Sequence, residues 1–301
     1  MTYHYPQFAV TPKVRPTFEG FETPDMNRVS RLTENDRAET LAFLAVRPVH
    51  TVVMTSFIND NGIESTLNRG TFFGYRGVDG ELEGVALIGH ATLIEARSTD
   101  SLKAFAVMAQ NPDTPIHIVM SSGNAAEMFW NHYSNGLRQP RLKCTELLFE
   151  LNFPVFVQKC KWNIRNARME ELEMIAEAQG EVAFIESGVN PMVTDREGFL
   201  KRVARRIEQE RIFVVVEDGK LLFKADIIAE TADAIYLEGI YVHEDHRGQG
   251  IGSSCLANLS LSLLDRVEHI SLLSNVNFDG AHRSFAKAGY KNTDQCTTLF
   301  V

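Results

Sequence analysis

Residues 247–252 have the sequence Arg247-Gly248-Gln249-Gly250-Ile251-Gly252 and lie directly between an apolar strand and a helix. The strand covers residues 234–242, and the helix, which begins near Ile251, repeats apolar residues every four positions: Ile251, Cys255, Leu259 and Leu263. Glycines at alternate positions permit a tight turn and leave backbone N–H groups uncovered. These groups add to the unsatisfied amides and positive dipole end of the helix. The stretch therefore predicts a cradle for a phosphate or pyrophosphate.

Two common phosphate-binding loops do not fit this stretch. A P-loop needs a lysine after its last glycine, whereas Gly252 is followed by Ser253 and Ser254. A dinucleotide-binding loop has the spacing G-x-G-x-x-G early in its fold, whereas the spacing here is G-x-G-x-G with only about fifty residues to follow. Nucleoside triphosphates and dinucleotides are therefore excluded as ligands of this turn.

The remaining pattern, R-x-x-G-x-G after a strand ending in Val242, resembles the acetyl-CoA-binding motif of the GNAT N-acetyltransferases. Residues 275–290 are similar to a later motif of that family, roughly N-x-x-A-x-x-x-Y-x-x-x-G-F. The whole chain resembles a two-unit subfamily through residues 186–191, 223–226 and 297–300. In that subfamily a degenerate N-terminal GNAT-like half precedes a CoA-binding C-terminal half.

This resemblance predicts an α/β (α+β) fold of two tandem GNAT-like units, each a mixed, mostly antiparallel sheet flanked by helices. Residues 1–30 form an extended lead-in, residues 31–158 the degenerate unit, and residues 162–301 the catalytic unit. The N-terminal half has no R-x-x-G-x-G sequence, so we expect it to bind no CoA. It serves instead as scaffold, substrate wall or dimer surface, and a homodimer is compatible with the sequence.

Local patterns predict several elements of each half. In the first half, Asn124 is an N-cap for a helix over 125–133, and a strand covers 154–157. In the second half, a strand at 164–167 precedes a helix at 169–179, and Thr194 with Glu197 forms a capping box. The two-residue period of the strand places Glu238 on one face with Tyr236 and Ile240.

The resemblance also assigns the residues that hold acetyl-CoA, the acyl donor. Backbone amides of the turn bind the pyrophosphate, and Ser253 extends the site; the turn residues are Arg247, Gly248, Gln249, Gly250, Ile251 and Gly252. The backbone of Ile240, Tyr241 and Val242 pairs with the pantetheine and the thioester carbonyl. Phe278 occupies the position of the family's cofactor-binding asparagine, and Asn275 or Asn277 replaces it, with Asn275 better aligned.

Glu238 is the candidate catalytic base, because an alkylamine with a pKa near 10.4 must lose a proton before it attacks. Alternatively Glu238 pairs with Lys224 or anchors the amine. Asp226 is a second candidate for the catalytic base; alternatively, its carboxylate forms an ion pair with Lys224.

The leaving thiolate has no evident proton donor, since Phe285 occupies the position of the family's tyrosine. Tyr290 is expected to pack in the core. Ser274, Tyr241 or His282 could substitute, or the thiolate leaves unprotonated, because a model thiol pKa is about 8.5.

The predicted function is an acetyl-CoA-dependent N-acetyltransferase that transfers the acetyl group directly to a primary amine of a small molecule or peptide. The alternative is a non-catalytic acetyl-CoA or acyl-CoA-binding sensor or assembly module, which Phe285 favours. A third hypothesis is transfer from longer acyl-CoA donors.

Composition restricts the partners. A net charge of −9 argues against nucleic acid. The sequence has no secretory signal and no run of about eighteen apolar residues, so we expect a cytoplasmic protein without a membrane partner. The four cysteines are expected to be free thiols, and His243 with His246 lacks the spacing of a metal site.

Overall fold

The computed structural model describes residues 24–153 and 160–301. Most of the predicted lead-in over residues 1–30 lies outside these ranges, as do the strand predicted at 154–157 and the first residues of the boundary between the two units.

The described residues form alternating strands and helices. The strands are β1 Val29–Arg31, β2 Gly70–Arg76, β3 Leu82–Gly89, β4 Ala91–Ala96, β5 Ile118–Ser122, β6 Leu142–Leu151, β7 Arg165–Asn166, β8 Ile212–Glu217, β9 Lys220–Glu230, β10 Ala234–Val242, β11 His269–Asn275 and β12 Lys291–Phe300. The helices are α1 Arg37–Leu44, α2 Pro48–Asn61, α3 Thr99–Ala109, α4 Ala125–Tyr133, α5 Leu172–Ser187, α6 Pro191–Thr194, α7 Arg196–Glu208, α8 Ile251–Leu263 and α9 Asp279–Lys287.

All the strands of the described residues belong to one sheet with the order β1-β2-β3-β4-β5-β12-β6-β11-β10-β9-β8-β7. Two neighbouring pairs are parallel, β4 with β5 and β10 with β11, and the other pairs are antiparallel. Each half contributes one parallel pair, joined by a helical crossover, α3 in the first half and α8 in the second. The predicted fold class, two similar units with mixed and mostly antiparallel pairing, is confirmed.

The two halves exchange strands at the centre of the sheet. Strand β12, the last of the chain, pairs with β5 of the first half, from Cys296 opposite Ser122 to Phe300 opposite Ile118. Strand β6 of the first half pairs in turn with β11 of the second, from Asn275 opposite Glu146 to Ile270 opposite Leu151. The two units therefore share one continuous sheet, and the predicted division at residues 158–162 does not coincide with a break in strand pairing.

Helix α8 covers one face of the second half, where its predicted apolar stripe is confirmed. Ile251, Cys255, Leu259 and Leu263 are all buried in a core that includes Leu237 and Leu272. Helix α2 of the first half packs on the opposite face, where Val52 contacts Ala234 and Tyr236. The strand that leads to the glycine turn is therefore clamped between helices from both halves.

Two local predictions about helix boundaries are wrong. Helix α5 continues to Ser187, eight residues past the predicted end, and ends at Gly188, whose φ of 73° supplies the left-handed C-cap. The capping box at Thr194 and Glu197 is absent, because α6 ends at Thr194. Asp195 caps α7 instead and accepts a hydrogen bond from the Gly198 N–H at 3.1 Å. The predicted helix over 125–133 is confirmed as α4 with Asn124 at its N-cap, although the Asn124 side chain makes no capping hydrogen bond.

The strand predicted before α5, the cysteines and the apolar character of the helices can also be compared with the structure. The strand predicted at 164–167 is reduced to the two residues of β7. All four cysteines are free, as predicted; Cys144 and Cys255 are buried, and Cys160 and Cys296 are half-buried. In the described part of the chain, no helix combines the length and the apolar character that crossing a membrane requires.

Candidate active site

The parallel strands β10 and β11 separate before they end. Their pairing runs from Ala234 opposite His269 to Leu237 opposite Leu272 and stops there, although β10 continues to Val242. On its other side β10 stays paired with β9 as far as Val242 opposite Phe223. The main chain from Glu238 to Val242 therefore has one edge free, and this edge lines a cleft of about 440 Å³. A free strand edge accepts an extended ligand by added backbone hydrogen bonds.

A bulge at Gly239 produces this geometry. Gly239 has a φ of 60°, and the register of β10 against β9 shifts between Glu238 and Tyr241. A bulge inserts a residue and reverses which face the following side chains occupy. Ile240 consequently packs against the core under α8, together with Leu237, and not on the face of Glu238. The prediction that Tyr236, Glu238 and Ile240 share one face is therefore wrong for Ile240.

The glycine turn opens into a second cleft of about 500 Å³ that adjoins the first. Gly248 and Gly250 have φ values of 76° and 84°, which L residues rarely adopt, and Gly250 is the N-cap of α8. A Cβ atom added to either glycine would meet nothing within 4 Å. The backbone of the turn thus faces open space at the positive end of a helix, as an anion-binding site requires.

The walls of this second cleft carry only positive charge among the residues that the structure describes. Arg247 lies on one side, and Arg283 and Lys287 of α9 lie on the other, with no aspartate or glutamate between them. This local excess occurs in a chain whose net charge is −9. The surroundings therefore fit the phosphates of an acyl-CoA, because like charges that converge favour an anion between them.

Side chains of the turn stabilise its shape. The guanidinium of Arg247 donates to the Val242 carbonyl at 3.0 Å and approaches Glu181 at 3.2 Å. Gln249 donates to the Asp245 carbonyl at 3.0 Å, and the Ser253 hydroxyl donates to the Gly250 carbonyl at 3.2 Å. Ser253 also lines the cleft, whereas Gln249 does not. Contact of the Gln249 main chain with the pyrophosphate stays a prediction.

The two asparagines after β11 differ in position. The amide oxygen of Asn275 accepts hydrogen bonds from the main chain and side chain of Asn277, both at 3.0 Å. Asn277 lines the cleft beside β10, whereas Asn275 lines a different pocket on the opposite side of the strands. The main-chain carbonyl of Asn275 contacts the His282 ring at 3.0 Å. Contact of Asn275 with the acyl donor stays a prediction.

Three glutamates from different elements meet at the point where the strands separate. Glu238 of β10 and Glu186 of α5 line both the cleft along β10 and a pocket of about 530 Å³ on its other side. Glu146 of β6 lines the second of these spaces and accepts a hydrogen bond from the Thr298 hydroxyl. No described residue donates a hydrogen bond to the Glu238 carboxylate, which leaves it free for a ligand.

Enclosure and mutual repulsion favour the protonated forms of these acids. Desolvation in the pocket, with the charges of Glu238 and Glu146, raises the pKa of Glu186 to about 8. Burial also raises the pKa of Glu238 and of Glu146. Burial, followed by the charge of Glu238, raises the pKa of the nearby Tyr236 hydroxyl, which therefore keeps its proton. The group titrates as a coupled set, because each ionisation opposes the next.

A buried ion pair on the neighbouring strand β9 shows which residue is the partner of Lys224. Nζ of Lys224 lies 2.7 Å from Oδ1 of Asp226, and both side chains are fully buried. The same ammonium donates to the Gln179 amide oxygen at 2.5 Å and to the Gly239 carbonyl at 3.2 Å. Asp226 is therefore a partner of Lys224, and Glu238 makes no ion pair with that lysine.

The residues that could donate a proton to the leaving thiolate lie in different surroundings. Phe285 is buried at the bottom of both clefts and packs edge-on against Phe149 at 5.4 Å between ring centroids. Tyr290 is buried and shares a 2.7 Å hydrogen bond with Ser260, which confirms its core role. Ser274 and Tyr241 line the cleft along β10, whereas the His282 ring bonds to a main-chain carbonyl.

The pocket beyond the glutamates lies between the two halves of the chain. Residues 69, 90, 117 and 118 of the first half line it together with residues 179–202 and 236–238 of the second. Sequence patterns missed Glu146 and Glu186 as site residues, since each lies on an element whose neighbours are distant in sequence. The presence of Glu186 in the stretch that resembles the two-unit subfamily was the one available signal.

No metal site accompanies this arrangement among residues 24–153 and 160–301, where no three His, Cys, Asp or Glu side chains converge suitably. Nδ1 of His243 accepts a hydrogen bond from the Asp245 N–H at 3.3 Å and so caps the short turn before Arg247.

Comparison with known proteins agrees with this geometry. Residues 208–292, which include β10, the glycine turn and α9, match the family model described as an acetyltransferase (GNAT) domain. These residues therefore carry a GNAT-type acetyltransferase domain, and the match supports acetyl transfer in general terms. No curated protein matches it.

Several solved structures share the fold over nearly the whole chain. A protein from Drosophila is 11% identical with a TM-score of 0.66, covering 91% of this chain and 98% of its own. A GNAT-family acetyltransferase from Colwellia psychrerythraea is 14% identical with a TM-score of 0.58, covering 90% and 98%. A tandem GNAT protein from the clavulanic acid biosynthesis pathway is 14% identical with a TM-score of 0.54 and the same coverage. At these identities the likeness establishes the fold.

Proposed function

We propose that this protein is an acetyl-CoA-dependent N-acetyltransferase that transfers the acetyl group directly to a primary amine. One observation carries the proposal: the cleft along β10 and the pocket between the two halves meet at Glu238. The first space suits an acyl donor, because it joins a free strand edge to the glycine turn. The second suits an acceptor, because its floor is acidic.

Backbone groups and cations of this chain would hold the donor. The amides of Gly248–Gly252 and the side chains of Arg247, Arg283 and Lys287 are placed to bind the phosphates. The free edge of β10 from Ile240 to Val242 would pair with the pantetheine arm. Bound acetyl-CoA supplies an activated acyl group, and a strand N–H directed at its carbonyl would stabilise developing negative charge by about 3 kcal/mol.

Glu238 is proposed as the general base. An alkylammonium loses its proton only near pH 10.4 in water, so a carboxylate within reach of the amine lowers the barrier to attack. The raised pKa of Glu238 makes its ionised form a stronger proton acceptor. Glu186 and Glu146 line the same pocket, where the carbonyl oxygens of their protonated carboxyl groups would accept hydrogen bonds from the amine. No residue beside the cleft is required to protonate the thiolate, because thiols are much more acidic than amines.

A binding module without chemistry is the second candidate, supported by Phe285, which cannot donate a proton. The open acidic pocket on the far side of Glu238 favours the transferase, since a sensor of acyl-CoA alone would need no such space. The N-terminal half acts as the acceptor wall in this proposal.

Binding and turnover should be measured together to test the proposal. The expected result is a rise in melting temperature with acetyl-CoA, and release of free CoA thiol when a primary amine is added. Failure of acetyl-CoA to bind would refute both candidates. Tight binding with no CoA release from any amine would favour the module.

A further inference from the structure

Charge is divided between the two ends of the pocket between the halves. The end beside β10 carries Glu146, Glu186 and Glu238. The other end carries Arg69, His90 and His117 of the first half, with Arg202 of α7 and its partner Asp195; Arg141 also lines the pocket and donates to the Ser187 carbonyl. The walls therefore present carboxyl groups where the acyl group would arrive and an excess of basic groups farther away.

Arg69 is the cation at this end that no carboxylate contacts directly, although the charge of Asp195 acts on it from beyond 4 Å. Its guanidinium makes no hydrogen bond or ion pair within 4 Å among the described residues. Arg202, its neighbour, is instead paired with Asp195 at 3.2 Å. Arg69 also has a φ of 54°, a left-handed conformation that costs a residue with a side chain about 1 kcal/mol. An unpaired cation on a constrained main chain, facing a pocket, is available to a ligand.

Two imidazoles adjoin this guanidinium. The rings of His90 and His117 lie 4.4 Å apart between centroids, and no described residue forms a hydrogen bond with either ring. Burial, with the charges of Arg69, His117 and Arg202, lowers the pKa of His90 to about 4, so its ring is neutral at pH 7 and has one N–H to donate. The mutual repulsion of these groups would fall if an anion lay between them.

Resting on the proposed transferase activity, we infer that the acceptor carries an anionic group in addition to its amine. The three glutamates receive the ammonium end, and Arg69, with His90 and His117 beside it, receives a carboxylate or a phosphate. Acceptors of this class are amino acids and aminoalkyl phosphates, whereas plain alkylamines would leave the positive end unmatched. The N-terminal half thereby sets acceptor specificity, because it supplies Arg69, His90 and His117.

Three matched series of acceptors test this inference with the full chain and acetyl-CoA: ω-amino acids, aminoalkyl phosphates and n-alkylamines of the same carbon numbers. Release of CoA thiol gives kcat/KM for each. We expect kcat/KM for one anionic series to exceed that for the alkylamines by at least about tenfold, because one hydrogen bond to a charged group contributes about that factor to binding. The preferred series tells which anion the positive end binds.

Arg69→Gln should raise KM for the preferred anionic acceptors about tenfold and leave the alkylamine kinetics and the KM of acetyl-CoA unchanged. Arg196→Gln is the matched control, because Arg196 lies at the start of α7, pairs with Glu173 and does not line the pocket. Melting temperatures of both variants verify that they fold.

Equal kcat/KM for alkylamines and anionic amines would overturn the inference while the transferase stands. A loss of kcat/KM in Arg69→Gln that is equal for anionic acceptors and for alkylamines would also overturn the inference. If no acceptor of any series is acetylated, the proposed function and this inference fail together.

Discussion

The ammonium of Lys224 donates a hydrogen bond to the main-chain carbonyl of Gly239, 3.2 Å away, inside the protein. Gly239 is the bulged residue at which β10 leaves β11, so a buried charge supports the point where the candidate active site opens. Asp226 balances that charge at 2.7 Å, and Gln179 accepts a further hydrogen bond from it. The opening of the strands is therefore built into the core rather than left to a loop.

Lys224→Met should destabilise the protein by about 3 kcal/mol, because it removes the nearer cation of the buried Asp226 carboxylate and leaves only Arg206, 3.8 Å away. Chemical denaturation would measure the loss. The double variant Lys224→Met/Asp226→Leu should recover much of it, since both charges are then gone. Lys220→Met, on the exposed start of the same strand, should change stability by less than about 0.5 kcal/mol. A loss for Lys224→Met as small as that control would contradict the role given to the pair.

Gly250→Ala should weaken acetyl-CoA binding at least about tenfold, because the new methyl group projects into the phosphate cleft and strains a φ of 84°. Gly219→Ala is the matched control: Gly219 also has a positive φ, 73°, with open space around a Cβ, but it lies in the turn between β8 and β9. Titration calorimetry should show unchanged binding for the control. Similar affinities for the two variants would remove the glycine turn from the site.

Glu238→Gln should lower kcat by about a hundredfold or more, which is the usual contribution of a general base, with little change in acetyl-CoA affinity. Glu230→Gln is the control, since Glu230 lies at the far end of β9 and pairs with Arg266. Steady-state kinetics and equilibrium binding separate the two effects. Equal losses in turnover and in binding would indicate a structural role for Glu238.

Ionisation of Glu186 should lower the melting temperature as the pH rises towards 9. Its folded-state pKa of about 8 is higher than the ordinary value of 4.5, so the folded state holds a proton that the unfolded state releases. The stabilising contribution is complete below pH 4.5 and is lost as the pH rises through 8.

Glu186→Gln should therefore flatten this decline and melt higher than the parent at pH 9. Glu177→Gln, at an exposed position of the same helix that does not line the pocket, should retain the parental slope. Parallel pH profiles for Glu186→Gln and the parent would show that the pKa of the Glu186 carboxyl is not raised.

Elements with a clear local pattern could be predicted from the sequence. The bounds of β10 and the buried stripe of α8 agree with the structure, because strand and helix periods are written in consecutive residues. The glycine turn was identifiable for the same reason. Its open backbone and cationic surroundings depend on α9 and were not visible in the motif itself.

The parts that escaped prediction depend on contacts between distant residues. Nothing in the residues around Glu146 indicates that β6 lies between β11 and β12. The bulge at Gly239 also has no distinct signal, since a glycine in a strand has several uses. Glu146 and Glu186 appear in the sequence as ordinary charged residues, and only the fold brings them to Glu238.

The placement of β12 has a consequence for biosynthesis. The first half reaches the ribosome exit long before residues 291–300, yet its β5 and β6 are held apart by that strand. A nascent chain would thus expose two strand edges until translation has passed Phe300, an interval in which chaperone binding or wrong edge-to-edge association competes with closure. Proteolytic nicking between the halves after assembly should leave them joined, whereas halves synthesised separately should aggregate.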